Sequence, residues 1–349
     1  MKTRSSSVTI EDVARAAGVS VSTVSRTIND KPDVARSTKE RVRQIMTELG
    51  YTPHRTASTL AGGLSKTIAL LIPISEFGIR QLVLDFLVGA SKATERHDFI
   101  LQVITRDIEE GDLRSLKRTS SIDGVILMRT KLSDSRVRVL QDIQMPFVML
   151  GRCRDNTDLS YVDLDSERGV ELALRYLKDL GHSNIGFIAY SAHMWAAEYT
   201  WVRLTREAAK KKSELLGLHT SIVQAETTAE AIRRATEELL SRDPGLTAIV
   251  TVYGELASTI ERVLSAHDLR VPEDVSIIAI MEEKTARLMT PTLGAVTLPS
   301  EELGAAAAEM LIKMVLARRR GESEPTQLLV EPTLVEGETT ARRRVNGSP

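Results

Sequence analysis

The sequence predicts an all-α helix-turn-helix head of three short helices, followed by an α/β body of two doubly wound lobes. Three observations predict it. Between residues 9 and 50, three segments carry apolar residues at helical spacing, and each opens on a hydroxyl residue suited to a helix N-cap. From residue 67 onward, short runs rich in Val, Ile and Leu alternate with amphipathic helical stretches, as parallel strands covered on both faces by helices require. Ten such runs exceed one open sheet of usual size. The body therefore divides into two lobes, with a cleft between them at the carboxyl ends of the strands.

The first helix lies in TIEDVARAAG, where Thr9 and Asp12 form an N-cap signature and Val13, Ala14 and Ala17 share one face. Gly18 stops it. Ser20 caps the next helix, within GVSVSTVSRTIND, and Val21, Val24 and Ile28 form an inward stripe at i, i+3 and i+7. Opposite the stripe stands Arg26, with Ser22 and Thr23 on either side, so the outer face is short, flat and polar. Such a face fits a partner that brings its own bulk and charge, as a DNA major groove does. The third helix, in STKERVRQIMTELG, takes a capping box from Ser37 and Glu40 and an apolar stripe from Val42, Ile45, Met46 and Leu49.

Charge supports the same reading. The 349 residues are nearly balanced, with 46 Lys and Arg against 47 Asp and Glu. Up to residue 66, however, eleven basic residues face six acidic ones, so a basic head precedes an acidic body. A basic head suits contact with a phosphate backbone.

In the body the strand runs are TIALLIPIS, FILQVITR, GVILMRT, FVMLGR, YVDLD, IGFIAY, SIVQA, AIVTVY, VSIIAIME and GAVTLP. Helices are expected over 81–97, 133–143, 166–180, 227–241, 254–268 and 300–320. A hydrophobic content of 42% suffices for sizeable cores. No apolar run approaches the roughly 18 residues of a membrane span. MKTRSSS is not followed by the apolar segment of a signal peptide, so a cytoplasmic chain is expected. The single cysteine, Cys153, excludes an internal disulfide and a cysteine metal cluster. GHSNIG around Ser183 is not a nucleophile elbow, AGGLSKT lacks the spacing of a phosphate-binding loop, and the six histidines show no ligand spacing. The ARRR runs at 317–320 and 341–344 read as solvated charge. No enzyme, metal site or cofactor is predicted.

The head, VTIEDVARAAGVSVSTVSRTINDKPDVARSTKERVRQIMTELGYTPHRTASTLAGG, resembles the lac repressor and galactose repressor family of bacterial transcription regulators. The resemblance continues through YVDLDSERGVELALRYLKDLGHSNIGFI, VPEDVSIIAI, RLMTPTLGAVTLPSEELGAAAAEML and LLVEPTLVEGET. It implies a homodimer or tetramer that binds double-stranded operator DNA, a periplasmic-binding-protein-like body, and control by a small effector. Carried over by position, Val21 and Ser22 read bases, and Arg26 is the groove arginine. Thr9, Ser20, Thr23, Ser25, Asn29 and Thr38 position phosphates, Tyr51 and His54 follow the third helix toward the DNA, and Leu60 is a minor-groove wedge in a hinge. The expected division is a headpiece over 1–55, a hinge over 56–66, a body over 67–340 and a tail over 341–349. Within the body, lobe 1 takes 67–160 and 293–322, and lobe 2 takes 161–292 and 323–340.

Sugar-binding members of the family carry Asn-Asp, an Asp pair and an arginine in the cleft. This chain has Tyr253-Gly254, Met281-Glu282 and Trp201 at those places. Aromatics are only 4% of the chain, yet Phe77, Tyr190, Trp195, Trp201 and Tyr253 all follow strands or sit in the cleft loops, with Arg129, Arg152 and Glu282 nearby. As a set they predict a pocket for a ring-shaped effector. The expected function is repression of sugar uptake or catabolism genes under a small carbohydrate. The alternatives are a non-sugar effector, such as a nucleoside or other metabolite, and control by a protein partner.

Overall fold

Alternation along the first strand of the body sorts its side chains into two cores. In β1 (Thr67–Leu71), Ile68 and Leu70 pack into one apolar cluster while Ala69 and Leu71 pack into another on the opposite face. A strand buried on both sides in this way belongs to a sheet sandwiched by helices. The structure is a computed structural model that describes residues 8–28, 33–51, 64–73, 80–119, 122–318 and 324–343.

The first sheet joins β1 to β2 (Ile100–Ile104), β3 (Gly124–Met128), β4 (Phe147–Leu150), β5 (Tyr161–Leu164) and β11 (Gln327–Val330), in the order β11-β5-β4-β3-β1-β2. Every pairing in it is parallel. One face carries α4 (Gln81–Arg96) and α13 (Ser300–Arg318). These helices cross at glycines: a Cβ on Gly89 would lie 1.9 Å from the Glu301 carbonyl oxygen, and one on Gly304 would lie 2.2 Å from that of Phe86. The other face carries α5 (Glu110–Thr119) and α6 (Ser135–Asp142).

The second sheet joins β6 (Asn184–Ala189), β7 (His219–Gln224), β8 (Ala248–Thr251), β9 (Ser276–Met281), β10 (Gly294–Thr297) and β12 (Thr333–Val335), in the order β12-β10-β9-β8-β6-β7. Only β12 runs antiparallel. Its helices are α7 (Ser166–Asp179), α8 (Ala192–Ala196), α9 (Thr200–Leu216), α10 (Ala229–Arg242), α11 (Ala257–Ala266) and α12 (Glu283–Leu288). Two doubly wound lobes are thus observed as expected, and β11, β12, α5, α8, α9 and α12 are additions to the sequence reading. The buried face of α9 includes Thr205, Ala208, Ala209 and Ser213, too small and polar to give a clear helical stripe.

The lobe boundaries need correction. β5 pairs with β4 and β11, so 161–164 belongs to lobe 1, and β10 pairs with β9, so 294–297 belongs to lobe 2. β11 lies in the first sheet, so 327–330 also belongs to lobe 1 rather than lobe 2, and the chain crosses between lobes after β5, after β10 and between β11 and β12, each time a few residues later than the expected bounds. Two edges shift as well. Leu64, Ser65 and Lys66 are body rather than hinge: Leu64 packs on the lobe 1 core, and Asp123 accepts from the Ser65 and Lys66 amides at 3.1 and 2.7 Å. Residues 341–343 are docked rather than tail, because His182 Nε2 lies 3.0 Å from the Ala341 carbonyl and the Arg343 amide donates to Leu180 O.

The head consists of α1 (Ile10–Ala17), α2 (Val21–Ile28) and α3 (Arg36–Glu48). Thr9 and Asp12 close the expected capping box, and Gly18 takes a φ of 64° that L side chains rarely adopt, turning the chain into α2. Val13, Ala14, Ala17, Val24, Val42 and Tyr51 form the core. Two local expectations fail. Val21 is 40% exposed, because the core supplied by α1 and α3 reaches Val24, Thr27 and Ile28 but not the first turn of α2. Ser37 does not cap α3, which begins a residue earlier after Ala35, and Glu40 instead pairs with Arg36 at 3.0 Å.

Candidate nucleic-acid interface and interlobe cavity

The outer face of α2 presents Val21, Ser22 and Arg26. Thr27 occupies the inner face, its hydroxyl donating to Thr23 O at 2.9 Å so that no polar atom is left bare in the core. At the start of α2, Ser20 Oγ accepts from the Thr23 amide at 3.2 Å and lies 2.7 Å from Ser22 Oγ and 2.9 Å from Thr23 Oγ1. These hydroxyls gather at a helix N-terminus, where the dipole favours an anion. Arg26 is 58% exposed and its only described ion pair is a loose one, 3.6 Å from Asp33.

The other head residues fall into two groups. Thr9 commits its hydroxyl to Asp12 at 2.8 Å, and Tyr51 is buried in the head core, where burial, then Glu11, pushes its phenol above the usual range. Ser25 and Thr38 are half-buried on α2 and α3. Asn29, His54 and Leu60 lie outside the described residues, as does Phe77 of the body.

Between the lobes lies a cavity of about 180 Å³, lined from both sides by residues at or just beyond the carboxyl ends of strands. Lobe 1 supplies Arg129 and Thr130 after β3, Arg152 after β4 and Asp163 in β5; lobe 2 supplies Tyr190 after β6, Thr227 after β7, and Trp201 and Thr205 from α9. Most of the remaining wall is aliphatic or aromatic, including Phe86, Leu150, Met194 and Ile280.

Two of its three arginines are paired with carboxylates. Arg152 Nε donates to Asp163 Oδ2 at 2.7 Å, with both side chains largely buried. Burial pushes the Asp163 carboxyl above the usual carboxylate range, against the pull of the Arg152 guanidinium. Arg80, at the entry to α4, pairs with Glu255 at 2.7 Å. Burial opposes its charge, and Glu255, with Tyr190, Glu282 and Tyr253 behind it, holds the guanidinium protonated. The turn carrying Arg129 has a left-handed φ of 54°, a costly conformation for a side-chain-bearing residue. Arg136, itself clasped by Asp134 at 2.7 Å, pins that turn by donating to the carbonyls of Met128 and Arg129 at 3.0 and 2.9 Å. Arg129 donates in turn to Pro73 O.

Four of the sequence-predicted cleft residues, Arg129, Arg152, Tyr190 and Trp201, meet on this wall. Three do not. Tyr253 is fully buried behind it, its hydroxyl donating to Ala225 O at 2.7 Å and its ring set edge-on to Tyr190 at 5.9 Å. Trp195 stacks beneath the guanidinium groups of Arg203 and Arg206, 3.7 and 4.5 Å from their carbons. Glu282 is 8% exposed, and burial raises its pKa above the ordinary glutamate value. Proximity to a strand end does not reveal which way a side chain turns. Sequence reasoning missed Arg80, Thr130, Asp163, Thr205 and Thr227; of these, only Asp163 left a signal, as an acid between the apolar residues of the strand run YVDLD.

A profile described as bacterial regulatory proteins, lacI family, matches residues 9–54, and one for a periplasmic binding protein-like domain matches 174–340. Over 335 residues the chain is 30% identical to the HTH-type transcriptional regulator CelR of Thermobifida fusca, covering 94% of this chain and 96% of that protein. The chain belongs to the lacI family of bacterial regulatory proteins. This lacI-family regulator is also 28% identical over 309 residues to catabolite control protein A of Priestia megaterium, with 88% and 92% of the two chains covered. Among solved structures it is similar to a CelR–cellobiose complex, with a TM-score of 0.68, 26% identity, and 95% and 99% coverage. It shares its fold with the lac repressor dimer bound to operator and the anti-inducer ONPF, at a TM-score of 0.77, 22% identity, and 96% and 99% coverage. As a lacI-family member the chain is a DNA-binding transcriptional regulator. No described helix is long and apolar enough to cross a membrane.

Proposed function

We propose that this regulator represses genes of sugar uptake or breakdown, and that a small uncharged carbohydrate in the interlobe cavity sets its grip on operator DNA. The observation that carries the effector class is the pairing of Arg152 with Asp163 and of Arg80 with Glu255. Wall charges that already have counter-charges suit a neutral ligand, since a charged one would have to displace a partner. Trp201 and Tyr190 offer ring faces, while the Nη groups of Arg152, which make no hydrogen bond among the described residues, and the hydroxyls of Thr205 and Ser166 offer hydrogen bonds to ring hydroxyls. Cellobiose in the similar CelR complex supports the same class.

On DNA, Val21 and Ser22 contact base edges, Arg26 reaches a guanine, and the Ser20 and Thr23 hydroxyls position a phosphate. Two heads on a homodimer span two half-sites about one helical turn apart. The test is a genomic binding map, followed by operator binding with a panel of neutral sugars, nucleosides and phosphorylated metabolites. Release or tightening by a neutral sugar supports the reading. A response confined to nucleosides or anions rejects it, and no response at all transfers control to a protein partner.

A further inference from the structure

Three ties that cross between the lobes differ in kind. The first is backbone: Lys131 bridges Tyr199 in antiparallel fashion, with the Leu132 amide donating to Glu198 O at 2.9 Å and the Thr200 amide to Thr130 O at 3.2 Å. The second is an exposed ion pair, Lys284 to Glu301, 3.5 Å apart with the lysine 76% exposed. The third is Arg80 of lobe 1. Its Nη2 sits 2.7 Å from Glu255 Oε1 and donates to the Val252 carbonyl at 3.5 Å, and its guanidinium carbon lies 5.9 Å from the centre of the Tyr253 ring, all in lobe 2. Of the three, this tie alone is made by a side chain that itself lines the cavity.

We propose that Arg80 is a positioning residue that sets the spacing of the two lobes from within the cavity wall. Its place at the entry to α4 transmits any change in its partner to the helix that packs across the first sheet against α13. The exposed Lys284 pair is screened by solvent and holds little, whereas the Arg80 pair is half-buried and backed by the field of Glu282. Arg80 Nε and Nη1 make no hydrogen bond among the described residues, so the same guanidinium can hold Glu255 and still meet an occupant. A ligand that reaches it in only one lobe arrangement biases that arrangement by its differential affinity. This last consequence rests on the cavity being the effector site; the spacing role does not.

The experiment measures interlobe distance by electron-spin resonance in the full chain, with nitroxides at the exposed Arg138 of lobe 1 and Leu215 of lobe 2 on a Cys153→Ser background. Glu255→Gln and Arg80→Gln should each lengthen and broaden the distance distribution, and the double variant should go no further than either alone, because both remove one contact. Arg80→Lys should keep part of the original population, and Lys284→Gln should leave it unchanged. An unaltered distribution in Glu255→Gln, or an equal change in Lys284→Gln, would overturn the proposal. Cellobiose and D-glucose, added to the unsubstituted chain, separate the two readings. If neither binds, the carbohydrate reading loses support while the distance result still decides the role of Arg80.

Discussion

Arg26 in the head and Arg152 in the cavity carry the same guanidinium under opposite conditions. Arg26 is 58% exposed and only loosely engaged by Asp33 at 3.6 Å, whereas Arg152 is 20% exposed and held by Asp163 at 2.7 Å. An exposed, weakly held arginine keeps its five donors for a partner that brings negative charge, as DNA does. A buried, tightly paired one has its charge cancelled in advance and offers only its spare N–H groups, which select hydrogen-bonding ability over charge. Under the proposed function, the two sites of one chain thus separate an ionic partner from a neutral one.

The largest effect should come from breaking the buried pair. Asp163→Asn leaves the Arg152 charge without compensation in the wall, and urea unfolding should show a loss of about 3 kcal/mol, the low end for such pairs because neither side chain is wholly buried. A loss below about 0.5 kcal/mol, the range of solvent-screened surface pairs, would erase the contrast between the two arginines.

Next comes the exposed partner. Arg26→Ala should cost about 1 to 3 kcal/mol on the operator, with a much smaller loss on random DNA, as read by fluorescence anisotropy. Equal losses on both would reduce Arg26 to a phosphate contact. Stability should hardly change, since the side chain packs on nothing that the head core needs.

These two sites were unequally legible in the sequence. The head lies in one contiguous stretch, where caps, a turn glycine and helical spacing speak directly about neighbours in space. One of its two misreadings is of extent: Val21 has the spacing of the inner stripe, but the small core ends before reaching it. The cavity is assembled from the ends of β3, β4, β5, β6 and β7 and from α9, which no local pattern relates to one another. Sequence could place Tyr253 and Trp201 near the cleft. It could not show that Tyr253 turns into the core of its own sheet while Trp201 turns out. Asp163 was missed for a related reason: an acid in a strand run looks like solvent-facing alternation, and nothing local shows that Arg152, beyond the neighbouring strand β4, stands against it.

A smaller effect sharpens the cavity side. Trp201→Ala removes a ring face worth about 1 kcal/mol, so the affinity for a bound sugar should fall several-fold to tenfold by calorimetry while operator affinity without sugar stays within about twofold. Unchanged sugar affinity would take Trp201 out of the site.

The smallest effect tests the burial of Glu282. Its folded pKa is raised above the unfolded value, so the protonated form is favoured by folding. That contribution is fully present below the unfolded pKa near 4.5 and is lost as pH rises through the folded one. Relative to Glu282→Gln, the unsubstituted chain should therefore gain stability as pH falls from neutral toward 4.5 in a series of urea midpoints. A constant difference between the two proteins across that window would mean that Glu282 is hydrated.

The pairing of Arg152 and Arg80 with carboxylates is tested most directly by calorimetry of the chain against a neutral sugar and the same sugar carrying a phosphate. With Arg152 bound to Asp163 and Arg80 to Glu255, the neutral sugar should bind more tightly and its phosphate ester should bind weakly or not at all. Tighter binding of the phosphorylated sugar would show that the cavity presents free positive charge, and would contradict the account.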